Sequence, residues 1–214
     1  MTRRTGRRPG NPGTREAILD AARTAFAERG FDVASIRAIA SAAGVDPALV
    51  HHYFGSKDQL FIAAMNFPVD PGQLVPTVLA GDEDGVGERL VRNFLGVWDS
   101  PAGSAAQALL RSAVSNEWTA RLLREFVTTQ VLRRVLEQLD VDRDELPLRG
   151  SLVATQMIGL ALMRHVVRME PVASADPETL VAAIGPTIQR YLTGPLPTPA
   201  GGGGHGKPPG PLPA

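Results

Sequence analysis

Apolar residues recur along this chain at the three- and four-residue spacing of helices, and no segment alternates apolar and polar residues as a strand does. The pattern predicts an all-α protein. A first helix is expected to begin at Thr14, whose hydroxyl caps it, and to end at Gly30, because glycine adopts a left-handed conformation cheaply. Its predicted buried stripe is Ile18, Ala22, Ala25 and Phe26.

The next segment carries start and stop signals for two short helices and the beginning of a third. Ser35 is a predicted N-cap and Gly44 a predicted helix end. Asp46 and Pro47 then supply the cap and the first residue of another helix, and Ser56 caps the one after it. Only about two residues separate the first two helices, which is the short connection of a helix-turn-helix. The first of them has a slim apolar face of Ile36, Ile39, Ala40 and Ala43.

Prolines and a glycine at positions 68, 71, 72 and 76 are interpreted as a boundary to a second, larger helical domain. Its helices are predicted over residues 86–98, 102–115, 117–139, 149–169 and 177–192. The predicted organisation is a disordered basic arm (1–13), a three-helix domain (14–66), a larger helical domain (67–193) and a disordered tail (194–214) rich in proline and glycine.

The 214-residue chain has no net charge, but its charge is unevenly distributed. Residues 1–66 hold nine basic and six acidic residues, a net +3, so residues 67–214 are net −3. The first 15 residues contain five arginines and no acid. Basic charge beside a helix-turn-helix favours DNA binding. The N-terminal arginines form either a solvated tail or an arm that follows the DNA backbone or minor groove.

Composition also excludes several classes of protein. The absence of cysteine excludes disulfides and thiolate metal sites. The apolar stretches are expected to fall short of the roughly 18 to 20 residues of a membrane span, and the N-terminus lacks the apolar segment of a secretory signal. A soluble, cytoplasmic protein is therefore expected.

No catalytic or phosphate-binding motif occurs in the sequence, so we expect neither an enzyme nor a bound cofactor. His51 and His52 are adjacent, so on a helix they point about 100° apart and do not form a metal-binding pair. His165 lies on an apolar helix between Arg164 and Val166, which favours a core or interface histidine over a catalytic one.

Residues 14 to 64 resemble the N-terminal DNA-binding domain of the TetR family of bacterial transcription regulators. The resemblance is carried by a first helix ending in ERGFD, then SIRAIASAAGV, then a recognition helix ending in HHYF, then SKDQL. It implies DNA contacts at seven positions: Arg37, Pro47, Ala48, Leu49, His51, Tyr53 and Lys57.

The residue types at these positions suggest how the DNA is read. Apolar Pro47, Ala48 and Leu49 favour thymine-methyl contacts and readout of DNA shape. Tyr53 and Lys57 match positions that commonly hold phosphates, although Tyr53 is alternatively a core residue.

Two other positions add specific expectations. Arg37 is expected to contact a base edge or the backbone, or alternatively to be a surface ion-pair partner. His51 stands where many relatives have tyrosine, so DNA binding is expected to depend more on pH than in those relatives.

The resemblance further implies a larger all-helical domain for ligand binding and dimerisation. The last two predicted helices are expected to pair with a second copy, with Gly159, Ala161 and Gly185 allowing close approach; a central helix of a monomeric bundle is the alternative. A dimer places two recognition helices on a near-palindromic operator.

A small apolar effector is expected to release the dimer from the operator, so the protein is expected to be a repressor. The alternative is a helical assembly protein that has lost DNA binding. Expected effector-pocket walls are Phe94, Trp98, Leu110, Trp118 and Phe126, with Gln130 or Asn116 as a polar handle.

Overall fold

The structure is a computed structural model that describes residues 12–67, 69–101 and 103–197. All regular secondary structure in these ranges is helical, and no strand occurs in them. This confirms the all-α prediction. Residues 1–11 of the predicted arm (1–13) and residues 198–214 of the predicted tail (194–214) lie outside the described residues.

The N-terminal part contains four helices, one more than predicted: α1 (Pro12–Val33), α2 (Ile36–Ala42), α3 (Pro47–Phe54) and α4 (Lys57–Met65). The predicted caps are present, because side-chain oxygens of Ser35, Asp46 and Ser56 accept backbone N–H groups at 3.2, 2.7 and 3.1 Å. The start of α1 was predicted wrongly. It begins at Pro12, so Thr14 lies within the first turn. Gly30, with φ 76°, bends the chain, and a last turn extends to Val33.

The core of this part is aromatic and extends beyond it. The rings of Phe26 and Phe61 meet edge to face with centroids 4.7 Å apart, and Phe31 packs on both. Phe126, from the second half of the chain, lies 6.3 Å from Phe61 and is only 1% exposed. A residue of the larger domain therefore completes the core of the smaller one.

The larger domain contains helices α5 to α10. Their bounds are α5 (Pro71–Leu79), α6 (Val86–Trp98), α7 (Gly103–Ser115), α8 (Glu117–Glu125, Phe126–Leu132 and Arg133–Leu136), α9 (Leu146–Ala161 and Leu162–Val167) and α10 (Pro177–Leu192). The middle part of α8 and the last part of α9 are wider, π-helical turns. The predicted bounds of α6 and α10 are confirmed, whereas α8 ends three residues early and α9 starts three residues early.

Helix α5 replaces the expected interdomain loop. Asp70 caps it by accepting the Gly72 N–H at 2.9 Å, and Pro71 occupies the first turn, where its missing N–H costs nothing. Pro76 lies inside the helix, where it removes the bond to the Gly72 carbonyl. Val75 and Val78 are buried and hold the helix on the core. The prolines thus begin and interrupt a packed helix instead of marking a linker.

Close packing of α6 against α10 depends on two glycines, one of which, Gly185, we expected at a dimer interface. A Cβ atom on Gly87 would lie 2.5 Å from the Gly185 carbonyl oxygen, and one on Gly185 would lie 2.7 Å from Glu88 Cγ. Gly185 therefore serves contact within the protomer, not the predicted approach between two copies. Ala161 is likewise fully buried, and of the three small residues proposed for that role only Gly159 faces open space.

A buried arginine fixes the end of α10. Arg149 is 5% exposed, and its Nη1 donates to the carbonyls of Tyr191, Leu192 and Gly194 at 2.9, 3.2 and 3.0 Å. A cation at a helix C-terminus satisfies free carbonyls and complements the helix dipole. Glu145 accepts from the other guanidinium nitrogens at 3.0 and 2.6 Å, so the buried charge is fully paired.

One helical stretch, Arg143–Val167, is long and apolar enough to cross a membrane by length and composition alone. The expectation that all apolar stretches would be too short was therefore wrong. Small and weakly polar residues lie between the apolar ones in this helix, and its mean hydropathy is still 1.3. Only 33% of its apolar window is buried. Leu148 and Ile158 are 54% and 38% exposed, so one side of the helix is uncovered.

Candidate DNA-binding surface and ligand cavity

Helix α3 presents the surface expected of a recognition helix. Val50 and Phe54 are buried against the core, whereas Ala48 and His51 are exposed and Leu49 is half-buried. Pro47, at the first position of the helix, is also half-buried. The free face is short and mainly apolar, as the sequence predicted.

Arg37 and His51 flank this face. Arg37 is exposed on α2 and has no ion-pair partner among the described residues, so it is free to contact DNA. The Nδ1 atom of His51 lies 3.0 Å from the Gly55 carbonyl oxygen, which closes the end of α3 and fixes the ring orientation.

The two predicted phosphate contacts both point inward. The Tyr53 hydroxyl is buried and has no hydrogen-bond partner among the described residues. Lys57 Nζ donates to the Asp32 carbonyl at 3.2 Å and lies 4.6 Å from the centroid of the Phe31 ring. An unpaired buried hydroxyl is unfavourable, which favours a rotation that exposes it, while the contacts of the ring with neighbouring aromatic rings oppose that rotation. Contact of either side chain with phosphate requires such a rotation and remains a prediction.

A cavity of about 100 Å³ lies in the larger domain, between α5, α6, α7, α8 and α9. Four of the predicted wall residues line it: Phe94, Trp98, Leu110 and Phe126. Two do not. Trp118 is 40% exposed in the first turn of α8, and Gln130 is fully buried but turned to Thr129 and Arg134.

No polar surface of the described lining faces the cavity. Asn93 is the only polar side chain among the described lining residues, and its Nδ2 donates to the Arg89 carbonyl at 2.8 Å. Asn116, one of the expected handles, instead caps α8 by accepting the Thr119 N–H at 3.0 Å. Neither expected polar handle therefore lies at the cavity, and Asn93, which sequence reasoning missed, contacts the backbone of its own helix.

A cluster beside the cavity contains His165. Its ring stacks on Trp98 with centroids 5.7 Å apart, and its Nε2 lies 3.3 Å from Asp99 Oδ1. Asp99 also accepts two bonds from Arg164, each at 3.0 Å. Burial lowers the pKa of His165 below its usual range; Asp99 opposes this shift and Arg164 adds to it. A neutral imidazole packed on Trp98 is the environment of a core histidine.

Three interactions join the DNA-binding part to α8. Glu125 accepts the Phe31 N–H. Arg133 pairs with both carboxylate oxygens of Asp32 at 3.2 and 3.4 Å, and this pairing raises the arginine pKa. Arg134 pairs with Asp58 at the start of α4. We call these three interactions the α8 junction.

The α8 junction lies next to the cavity. Phe126, Val127, Val131 and Leu132 belong to the π-helical part of α8 and line the cavity. The residues of the junction precede and follow that part directly. One segment therefore forms a cavity wall and also holds the DNA-binding part.

Comparison with known protein families agrees with this architecture. A model described as bacterial regulatory proteins, tetR family, matches residues 18–64, and one described as tetracyclin repressor-like, C-terminal domain, matches residues 84–192, just over half of the chain. The chain belongs to the TetR family of bacterial regulatory proteins. Within this family assignment, α2 and α3 are the helix-turn-helix, and α6 to α10 lie in the C-terminal domain.

Individual relatives match to different extents. The HTH-type transcriptional regulator BetI of Rhizobium meliloti (strain 1021) is 48% identical over 54 residues, which cover 25% of this chain and 27% of BetI, about a quarter of its length. A solved TetR-family regulator from Streptomyces coelicolor A3 is 41% identical, covers 87% of this chain and 98% of its own, and has a TM-score of 0.43. A solved transcriptional regulator from Rhodococcus sp. Rha1 is 25% identical over 86% of this chain and 99% of its own, with a TM-score of 0.42.

Proposed function

We propose that this protein is a cytoplasmic, DNA-binding transcriptional regulator that acts by binding and not by catalysis. It binds a near-palindromic operator as a dimer, represses transcription there, and is released by a small apolar effector. Its membership of the TetR family supports the class of function, and the exposed face of α3 supports the mode of DNA contact.

DNA contact is assigned to two groups of residues. Pro47, Ala48, Leu49 and His51 face the major groove, where their apolar surfaces fit thymine methyl groups. Arg37, Tyr53 and Lys57 supply affinity through phosphates or base edges, the last two after turning outward from their positions in the free protein.

Dimerisation is assigned to α9 and α10. The outward side of α9 carries exposed Leu148, Ser151, Thr155 and Ile158, and Gly159 leaves room for a close partner. An uncovered helix face that exposes two large apolar side chains supports burial against a second copy. A monomer by light scattering at micromolar concentration would contradict this assignment.

The observation that carries the ligand response is the double role of α8. Its π-helical part lines the cavity, and the α8 junction holds α1 and α4. A ligand that displaces the cavity wall shifts α8 and, through the junction, the position of α3. If the ligand prefers the shifted form, it reduces DNA affinity by population shift.

Selection of bound DNA from a random pool tests the DNA-binding proposal. We expect a two-fold symmetric site with half-sites about 34 Å apart. Affinity for that site should fall steeply with salt, because bound phosphates release counterions. Arg37→Gln should weaken binding, whereas Arg143→Gln, an equal charge change on an exposed turn of the larger domain, should not.

Failure to bind DNA would favour the alternative function. If the protein neither selects a site nor binds random DNA at low salt, the helix-turn-helix has an assembly role. The alternative of a helical interaction protein then replaces the regulator.

A further inference from the structure

The cavity adjoins an apolar surface groove of about 300 Å³ between α7, α8 and α9. Five side chains form walls of both spaces: Leu110, Leu123, Val127, Ala154 and Ile158. Residues found only in the groove include Val114, which is 75% exposed, and Arg124. The two spaces are thus neighbours that share a wall of apolar side chains.

The cavity itself suits only the apolar part of a ligand. Its described lining contains no charged side chain, and burying an unpaired charge there is strongly unfavourable. Its volume of about 100 Å³ also lies below the roughly 300 to 1,000 Å³ of typical ligand pockets. A ligand of ordinary size must therefore extend beyond the cavity, and the groove is the adjoining space.

The groove offers a cation without an acidic partner. Helix α8, which is described throughout, carries arginines at positions 121, 124, 133 and 134. Arg121 pairs with Glu117 at 2.9 Å, and the last two pair within the α8 junction. Arg124 has no ion pair among the described residues, and no acidic residue is among the described residues of the groove. Its guanidinium is free for an anion.

We propose, on the basis that the cavity is the effector site as proposed above, that the effector is an amphiphile with one carboxylate. Its apolar tail occupies the cavity, beside Trp98 and Phe126. Its carboxylate lies in the groove and pairs with Arg124, whose planar donors match two carboxylate oxygens. The tail passes between the side chains that separate the two spaces.

Three probes of equal chain length test this proposal: octanoate, octanol and octylamine. Binding is measured by tryptophan fluorescence in Trp118→Phe protein, so that Trp98, a cavity wall residue, is the only tryptophan left of two. We expect octanoate to bind about three- to fivefold more tightly than octanol, the range of a solvent-exposed ion pair. Octylamine should bind most weakly.

Two arginine variants locate the carboxylate. Arg124→Gln should remove the preference for octanoate and leave octanol binding unchanged. Arg111→Gln, an equal charge change on exposed α7 outside the groove lining, should keep the preference. Loss of the preference in the first variant alone supports the pairing with Arg124.

Other outcomes separate this proposal from the proposed function. Equal affinity for octanoate and octanol, or a preference that persists in Arg124→Gln, overturns the carboxylate assignment but leaves the cavity as an effector site. Failure of all three probes to change Trp98 fluorescence overturns the assignment and also removes the cavity's role. DNA selection, which does not involve the cavity, is unaffected by either result.

Discussion

Helix α3 and helix α8 are held in place by different kinds of interaction. The start of α3 is fixed by Asp46, which bonds the Ala48 N–H two residues ahead. Helix α8 is placed by partners far away along the chain, such as Asp32, which is 101 residues from Arg133. Interactions between residues close in sequence therefore set the shape of the DNA-reading helices, whereas contacts between residues far apart in sequence set the position of these helices relative to the cavity.

The largest expected effect on stability comes from truncating Phe126, which belongs to α8 and packs in the core of the N-terminal helices. Phe126→Ala should lower the free energy of unfolding by about 3–5 kcal/mol, because it leaves a void beside Phe61 and Phe67. Urea unfolding followed by circular dichroism measures the change. If the two regions depend on this contact, both should unfold in one transition at lower urea concentration.

Val114→Ala is the control for this comparison. Val114 is 75% exposed, so its truncation should change the free energy of unfolding by no more than about 0.5 kcal/mol. A loss below about 1 kcal/mol for Phe126→Ala would show that the two cores are independent, and the contrast between local and long-range support would fail.

The same contrast explains which parts of the fold followed from the sequence. The caps at Ser35, Asp46 and Ser56 and the bounds of α6 and α10 were predicted, because each depends on residues within a few positions. Helix α5 was missed because Pro71 and Pro76 were interpreted as breakers. Proline is acceptable in a first turn, and burial of neighbouring valines offsets the bond lost farther along.

The candidate site was predicted to a lesser extent for the same reason. Phe94, Trp98, Leu110 and Phe126 were expected at the cavity as large apolar residues of the larger domain, and helical spacing sets the side of a helix on which such residues lie. The α8 junction was missed, since ion pairs between residues 76 and 101 positions apart leave no periodic pattern. The inward orientation of Lys57 depends on Asp32 and Phe31, and so it also could not be read from the motif.

A smaller effect should follow from removing a local interaction. Asp46→Ala leaves the Ala48 N–H without its acceptor and should destabilise the protein by about 1 kcal/mol. Thermal unfolding measures the loss, and Asp46→Asn should restore most of it because asparagine also caps helices. An Asn variant as unstable as the Ala variant would mean that the charge of Asp46, not its capping bond, stabilises α3.

The smallest effect on stability is expected for the ion pair between Asp58 and Arg134. This pair tests most directly whether long-range contacts of α8 link the DNA-binding helices to the cavity. Their side chains are 41% and 35% exposed, so the pair should contribute only about 0.5–1 kcal/mol to folding. A double-mutant cycle of Asp58→Asn and Arg134→Gln should give a coupling energy in that range.

Operator affinity measured with and without octanoate should respond to these substitutions more clearly than stability does, because Arg134 connects the cavity-lining helix to α4. Either single variant should reduce the ratio of the two affinities. An unchanged ratio, together with a measurable coupling energy in folding, would make the pair a structural contact that carries no signal between the two regions.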